Sequence, residues 1–195
     1  MAKKQFKKGT MIYPLPAVMV SCGEDIAEAN IITIGWTGTI SSEPPMCYIS
    51  VRKSRHSYEI LKRTGCFVIN LTTEDLVRET DWCGVKSGKD CNKFIETGLT
   101  PQKAPNINTW MIMESPLSIE CKIVDIKELG SHDMFIAKVV GVNADDKYID
   151  KQTGEFDLKK AGLIAYCHGK YYSLGQQLGF FGFSVQKKNN TKSSK

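Results

Sequence analysis

The sequence predicts a mainly β protein with short helices, folded as an antiparallel, Greek-key-like barrel, and three observations carry that expectation. Its apolar segments are short and rich in β-branched residues, their period is nearer two than 3.6, and the few helical stretches do not alternate regularly with them. The 195 residues suffice to bury one large core, and 42% apolar with 24% charged residues is the balance of a folded globular protein. Collagen-like, coiled-coil and disordered classes are thereby excluded. One domain is expected over 1–195, with its core at about 10–185 between flexible basic ends.

In chain order, strands are expected at 17–21, 31–37, 47–51, 66–71, 117–126, 134–142 and 163–166. In the fifth, Ile119, Cys121, Ile123 and Ile126 alternate only in part with Glu120, Lys122 and Asp125, which fits a strand carrying a bulge. Helices are expected at 57–63, stopped by Gly65, at 74–82, where Thr72 and Asp75 have capping-box spacing, and at 90–97, stopped by Gly98. Pro101, Pro105 and Pro116 mark 98–116 as a surface excursion, either an insertion or a lid.

Charge narrows the partners. The formal net charge is +5, but Lys3, Lys4, Lys7, Lys8, Lys187, Lys188, Lys192 and Lys195 at the ends supply eight cations, leaving 18 basic against 21 acidic residues. A body that is slightly acidic argues against a nucleic-acid partner, and the basic ends read as solubilising. The chain shows no apolar run of membrane-spanning length and no signal-like apolar stretch at its start, so a cytoplasmic location without membrane association is expected.

Several chemistries lack their parts. The seven cysteines are widely spaced, with no C-x-x-C pair, so no metal site is expected; reduced, buried thiols are the plain reading, with Cys47 and Cys83 the better redox candidates near polar loops. There is no G-x-G-x-x-G, H-E-x-x-H or G-x-S-x-G motif, and the stretch from Gly84 to Asp90 falls short of a P-loop.

The informative stretch runs from Asn30 to Arg63. Trp36, Thr37, Gly38 and Thr39 end one strand with a planar ring, two hydroxyls and a glycine that permits close backbone approach, a suitable edge for a flat heterocycle. A second strand then ends in Val51-Arg-Lys-Ser-Arg-His-Ser57 where a helix begins. Cations, hydroxyls and helix N-terminal amides in one place are what a phosphate monoester requires. Each residue also has a plain structural reading: Trp36 as core, Arg52 to Arg55 as a solvated loop, Ser57 as an N-cap. Their conjunction on adjacent strand ends points to a phosphorylated aromatic ligand.

At these residues the chain resembles the flavin reductase-like, FMN-binding split-barrel family, and within it the flavoredoxin branch. The resemblance rests on Asn30-x-x-Thr33-x-x-Trp36-Thr37-Gly38-Thr39, Ser42-x-Pro-Pro45, Val51-Arg-Lys-Ser-Arg-x-Ser57, Gly65-Cys-Phe-Val-Ile-Asn70, Gly130-Ser-His132-Asp and His168-Gly-Lys-Tyr-Tyr172-x-x-Leu-Gly175. It implies a homodimer of split barrels with one FMN per subunit. Carried over by position, Trp36, Thr37, Gly38 and Thr39 would line the isoalloxazine, and Arg52, Lys53, Ser54, Arg55 and Ser57 would surround the phosphate. Asn30 and Thr33 are placed near the site, one of them turned to the core by alternation, and the Cys83-Gly84 and Ser87-Gly88 loop completes the pocket from the same or the partner subunit. His132 is the candidate catalytic residue, contacting a nicotinamide donor or the flavin edge; His56 is assigned to the phosphate, and His168 has no assigned role. Tyr171 and Tyr172 alternate, so one of them would face a substrate. The aromatic segment Gly175 to Phe183 either packs or covers the flavin.

The implied function is an oxidoreductase passing electrons from NADH or NADPH through bound FMN to free flavin, ferric iron or a redox protein. The alternative is an FMN-binding electron carrier that does not react with the nucleotide.

Overall fold

The computed structural model describes residues 2–186, so the basic tail beginning at Lys187 lies outside the described residues. Twelve strands and four α-helices are laid out along it: β1 (Leu15–Pro16), β2 (Val18–Cys22), β3 (Asn30–Ile34), β4 (Thr37–Ser42), β5 (Pro45–Val51), α1 (His56–Thr64), β6 (Cys66–Leu71), α2 (Val77–Val85), α3 (Lys93–Thr97), β7 (Pro101–Lys103), β8 (Trp110–Ile112), β9 (Leu117–Glu128), β10 (Asp133–Ala144), α4 (Leu158–Ala161), β11 (Ile164–Cys167) and β12 (Lys170–Ser173). Seven strands form one antiparallel sheet in the order β3-β2-β6-β9-β10-β5-β4.

That order forces the sheet to roll up. β3 and β4 are its two outer strands, yet only Gly35 and Trp36 separate them in the chain, so the edges must come together. Just before β4 the Ser50 amide donates to the Trp36 carbonyl at 2.9 Å, extending the β4–β5 ladder back to the connection between the two edges. The result is the split barrel that the resemblance implies. The long β9–β10 pair carries register shifts between Ile136 and Ala137 and between Val139 and Gly141, bulges that add curvature.

Alternation fills the interior. Val18, Val20, Ile32, Ile34, Ile49, Val51, Phe67 and Phe135 meet inside the barrel, and Tyr58, Ile60 and Leu61 of α1 join them there. α1 begins at Arg55 without a side-chain cap and ends at Gly65 in the left-handed conformation, which glycine adopts without a Cβ clash. The outer faces of β2 and β3 are covered as well: Met19 and Ile31 pack with Leu76, Cys83, Phe94 and Leu99 from the α2–α3 region. This explains why β2 is buried at all five positions.

Four differences from the sequence expectation have physical causes. The apolar run 31–37 breaks at Gly35–Trp36, because Thr37 starts a new strand that pairs back on β5. The expected capping box at Thr72 is absent; Thr72 bonds the Ala17 carbonyl instead, and the helix starts as a 3₁₀ turn, Glu74–Leu76, before α2. The third helix is shorter than expected and is capped by Asn92, whose side chain accepts from the Ile95 amide at 3.2 Å. The excursion at 98–116 is not a lid: it contains the β7–β8 hairpin and buries Ala104, Ile107 and Met111 over Cys66 and Val68 on the outside of β6. Among the described residues no helix is long and apolar enough to cross a membrane.

Candidate functional site

Two cavities meet at the ends of β3 and β5. The first, of about 370 Å³, is lined by Asn30, Ile32, Arg52, Ser54, Arg55, His56, Ser57, Lys86, Ser87, Gly88 and Lys93. It holds the cations Arg52, Arg55, Lys86 and Lys93 and no carboxylate. The second, of about 460 Å³, runs past the backbone of β3, Gly35, Trp36, Arg52, Arg55 and His132. Ile32, Arg52 and Arg55 belong to both linings, so the two form one slot with a polyanion-binding end and a flatter end.

The anion end is assembled by the barrel seam. β5 ends at Val51, and the turn Arg52 to Arg55 leads into α1, closed by the Arg55 amide donating to the Arg52 carbonyl at 3.0 Å. Ser57 is not the N-cap that its sequence position suggested; it is the second residue of α1, is buried, and its Oγ accepts a 2.7 Å hydrogen bond from Asn30 Nδ2. With that bond accepted, the Ser57 hydroxyl hydrogen has two directions left, to the buried Cys22 sulfur beside it or to a ligand in the cavity. The start of α1 has no side-chain cap and adds the positive end of the helix dipole.

The opposite wall comes from the loop after α2. A Cβ on Gly88 would stand 2.2 Å from Asn30 Oδ1 and 2.8 Å from His56 Cδ2, so only glycine lets this loop approach the site. Gly84 lies against Thr33, whose hydroxyl bonds the Thr80 carbonyl. Lys93 is 2% exposed and donates to the Cys83 carbonyl at 2.6 Å. Burial holds its ammonium below the ordinary lysine range, and Arg55 pushes the same way. His56 is also held low, by burial first and then by Lys89 and Lys93. A phosphate dianion would relieve this crowding of positive charge, so the donor set fits a phosphomonoester.

At the flatter end His132 stacks on Trp36, with ring centroids 4.3 Å apart and planes tilted by 51°. Burial, then Arg52 and Arg55, hold its imidazole below the ordinary range, and its Nδ1 lies 2.9 Å from Ser131 Oγ. Trp36 is 37% exposed, at the rim and not in the core.

The structure gathers Trp36, Arg52, Ser54, Arg55, Ser57 and His132 around this slot, and Asn30, Thr33, Gly84, Ser87 and Gly88 with them, all from one chain. It places others elsewhere. Thr37, Gly38 and Thr39 lie on β4 outside both linings; Thr37 Oγ1 donates to the Tyr48 carbonyl at 2.6 Å, and Gly38 faces the Tyr48 ring. Lys53 turns to the far side of its loop, where Nζ lies 2.9 Å from Glu128 Oε2 and 3.5 Å from the buried Asp133 Oδ2. Cys83 supplies its backbone carbonyl from beneath, and His168 stacks on Tyr13, 4.3 Å between centroids. Tyr171 faces the cavity and Tyr172 is exposed. Lys86, Lys93, Asp81 and Tyr13 were not singled out in the sequence; Lys93 is the instructive one, since a lysine preceding a buried Phe94 looks like any solvated helix residue.

Known proteins share this fold. A flavoredoxin of Desulfovibrio vulgaris superposes with a TM-score of 0.88 at 27% identity, covering 95% of this chain and 100% of that one. A flavoredoxin from Methanosarcina acetivorans gives 0.86 at 24% identity, over 95% and 100%, a likeness of fold. An Archaeoglobus fulgidus protein is 26% identical over 162 residues, 83% of this chain and 89% of that one. The model of the flavin reductase like domain matches residues 10–175, a span that takes in the barrel, both cavities and the His132 loop, and the chain therefore belongs to that family.

Proposed function

We propose that the slot binds FMN and that the protein is an oxidoreductase passing electrons from NADH or NADPH through that flavin to free flavin, ferric iron or a redox protein. The observation that carries the reading is the continuity of the two cavities through Ile32, Arg52 and Arg55, which joins a carboxylate-free cationic end to a flat one. Arg52, Ser54, Arg55 and Ser57, with Lys86 and Lys93, hold the phosphate. Trp36, the β3 backbone and His132 bound the ring. When present, the flavin supplies a two-electron acceptor that releases electrons singly or in pairs, which is why the chain needs no nucleophile of its own. His132, kept neutral near pH 7, offers a ring nitrogen to bond a polar edge of ligand or donor.

The proposed assembly is a homodimer. Ile40, Val140 and Val142 are 47%, 37% and 58% exposed on β4 and β10, and a second copy covers such a face economically. Sedimentation of the FMN-loaded protein at twice the protomer mass supports this; a monomer removes it.

The deciding experiment is the visible spectrum after FMN addition and desalting, followed anaerobically with NADH and then NADPH. Retained bands that bleach within seconds support the reductase. The likeness to flavoredoxins favours a second reading, an FMN-binding electron carrier that does not react with the nucleotide. Retained bands that persist with both nucleotides but bleach with dithionite support that one. Failure to retain or reduce flavin overturns both.

A further inference from the structure

The ring-end cavity changes character away from the arginines. Its far wall is made by Tyr166 of β11, Tyr171 of β12, Tyr13 from the segment before β1, and Asp81 of α2. Tyr166 and Tyr171 face each other across the β11–β12 hairpin, with centroids 5.4 Å apart at 60°. The Tyr171 hydroxyl donates to Asp81 Oδ1 at 3.1 Å, and among the described residues it alone donates to that carboxylate. Burial, then Asp81, holds the Tyr171 phenol above its ordinary range, so it stays a neutral donor and keeps the carboxylate aimed at the cavity.

The slot is therefore polarised along its length. Arg52, Arg55 and His132 favour an anion at one end, and Asp81 is the single carboxylate in the lining of the ring-end cavity. A flavin phosphate has no use for Asp81. A planar group that carries N–H donors and positive charge does, because a carboxylate accepts from the first and attracts the second, while tyrosine faces favour a cationic ring.

We infer that Asp81 is a specificity-determining residue for the electron donor, recognising the nicotinamide ring through its carboxamide N–H and, in the oxidised nucleotide, its pyridinium charge. Tyr171 is the positioning residue that orients it. The inference rests on the proposed flavin-dependent function and deepens it by naming where the donor is read.

The test uses FMN-loaded wild type, Asp81→Asn and Tyr171→Phe. Two probes that cannot react, the 1-methylnicotinamide cation and neutral nicotinamide, are titrated while the flavin absorption is followed, and FMN affinity is measured separately. Asp81→Asn is expected to weaken the cation about fivefold or more and the neutral probe less, with FMN affinity within about twofold of wild type. Tyr171→Phe is expected to shift both probes in the same direction by a smaller factor. Equal affinities for the cation in wild type and Asp81→Asn overturn the inference, as does a loss of FMN that matches the loss of the probe, which would make Asp81 part of the flavin site. Wild-type NADH and NADPH reduction, run alongside, separates the two levels. Wild type that holds FMN, is bleached by neither nucleotide and binds neither probe removes the donor reading and the inference together. Bleaching with unchanged donor dependence in both variants removes the inference alone.

Discussion

Asn30 and Ser57 lie 27 positions apart and meet at 2.7 Å, where Asn30 Nδ2 donates to Ser57 Oγ and ties the first residue of β3 to the first turn of α1. This contact sets the floor of the anion cavity and turns the Ser57 hydroxyl into a donor. The part proposed for Ser57 in holding the phosphate depends on it.

Removing the donors around that floor should cost binding and spare the fold. Arg55 is exposed and its side chain is not an N-cap, so Arg55→Ala should weaken FMN by roughly 10- to 100-fold, the worth of one charge-assisted hydrogen bond, with little change in urea midpoint. Ser54→Ala combined with Ser57→Ala should act in the same direction. Fluorescence titration of FMN against each variant checks both, and unchanged affinity removes the phosphate assignment.

Gly88→Ala should act through space alone. The added methyl meets Asn30 Oδ1 at 2.2 Å, and Asn30, 3% exposed and bonded to Ser57, cannot swing away without breaking that bond. The loop from Lys86 to Gly88 must retreat, taking its cation and Ser87 with it. FMN affinity should fall at least about tenfold, while thermal stability changes little because the loop lies at the surface. Calorimetric titration beside a melting curve separates the two effects.

Low histidine pKa values make the ligand-free protein acid-sensitive in a defined window. His56 and His132 are both held below the ordinary value by burial and neighbouring cations, so as the pH falls through about 6.5 the unfolded chain takes up protons before the folded one. Stability is full above that value and declines towards the folded pKa values. Urea unfolding between about pH 5 and 7.5 should show the slope, and His56→Asn with His132→Asn should flatten it. Bound FMN should raise His56, since a phosphate favours its charged form; the ring carbon resonance followed against pH reads this directly.

The sequence made the barrel legible where strands have one wet face and one dry one, as in β9 and β10, and where two faces are buried but the run is short, as in β2 and β6. It hid the break at Gly35–Trp36, because Ile34 and Thr37 continue the same apolar pattern although the chain changes partner strand there. The β7–β8 hairpin was hidden too, since its three-residue strands sit among prolines and owe their order to packing on Cys66 and Val68. In the site, Arg52, Arg55 and Ser57 were readable as a basic cluster before a helix. Lys53, in the middle of the same cluster, was misplaced because its orientation is decided by Glu128, 75 residues away. Lys93 and Asp81 gave no local signal: each matters only because α2 and α3 fold over β3.

Cys47 and Cys121 invite a redox reading that the topology opposes. Their Sγ atoms are 3.5 Å apart in the core, yet Cys47 pairs with Ala137 and Cys121 with Val139, so β10 lies between their strands. Two strand spacings separate the backbones by about 9–10 Å, against the roughly 4.4–6.8 Å between Cα atoms that a disulfide tolerates. The small Ala137 side chain allows the thiols to meet above it without allowing a bond. Diamide treatment of the folded protein should therefore leave Cys47 and Cys121 reduced by peptide mass spectrometry, while the more accessible Cys91 and Cys167 are modified first. The same holds for Cys83, which is buried and whose thiol burial pushes up to about 11.

Glu120 is the strongest test of how the outer layer is held on. It is fully buried, and its carboxylate accepts from the Asn106 amide at 2.8 Å, from Asn106 Nδ2 at 2.9 Å and from Asn143 Nδ2 at 2.8 Å. Gly141 makes room: a Cβ there would stand 2.6 Å from Glu120 Oε1. The carboxylate thus pins the loop between β7 and β8 to the bulged stretch of β9 and β10. Glu120→Gln keeps the volume but sets an amide N–H₂ against at least one donor, leaving buried groups unpaired. A loss of about 2–4 kcal/mol in urea unfolding is expected, with FMN affinity unchanged once the protein is folded, because Glu120 lies outside both cavities. Gly141→Ala should destabilise by overpacking the same spot, and the double variant should lose less than the sum of the two, since both break one contact set. Additive losses would mean that Gly141 and Glu120 act independently, and no loss in Glu120→Gln would mean that the loop is held by its apolar contacts alone.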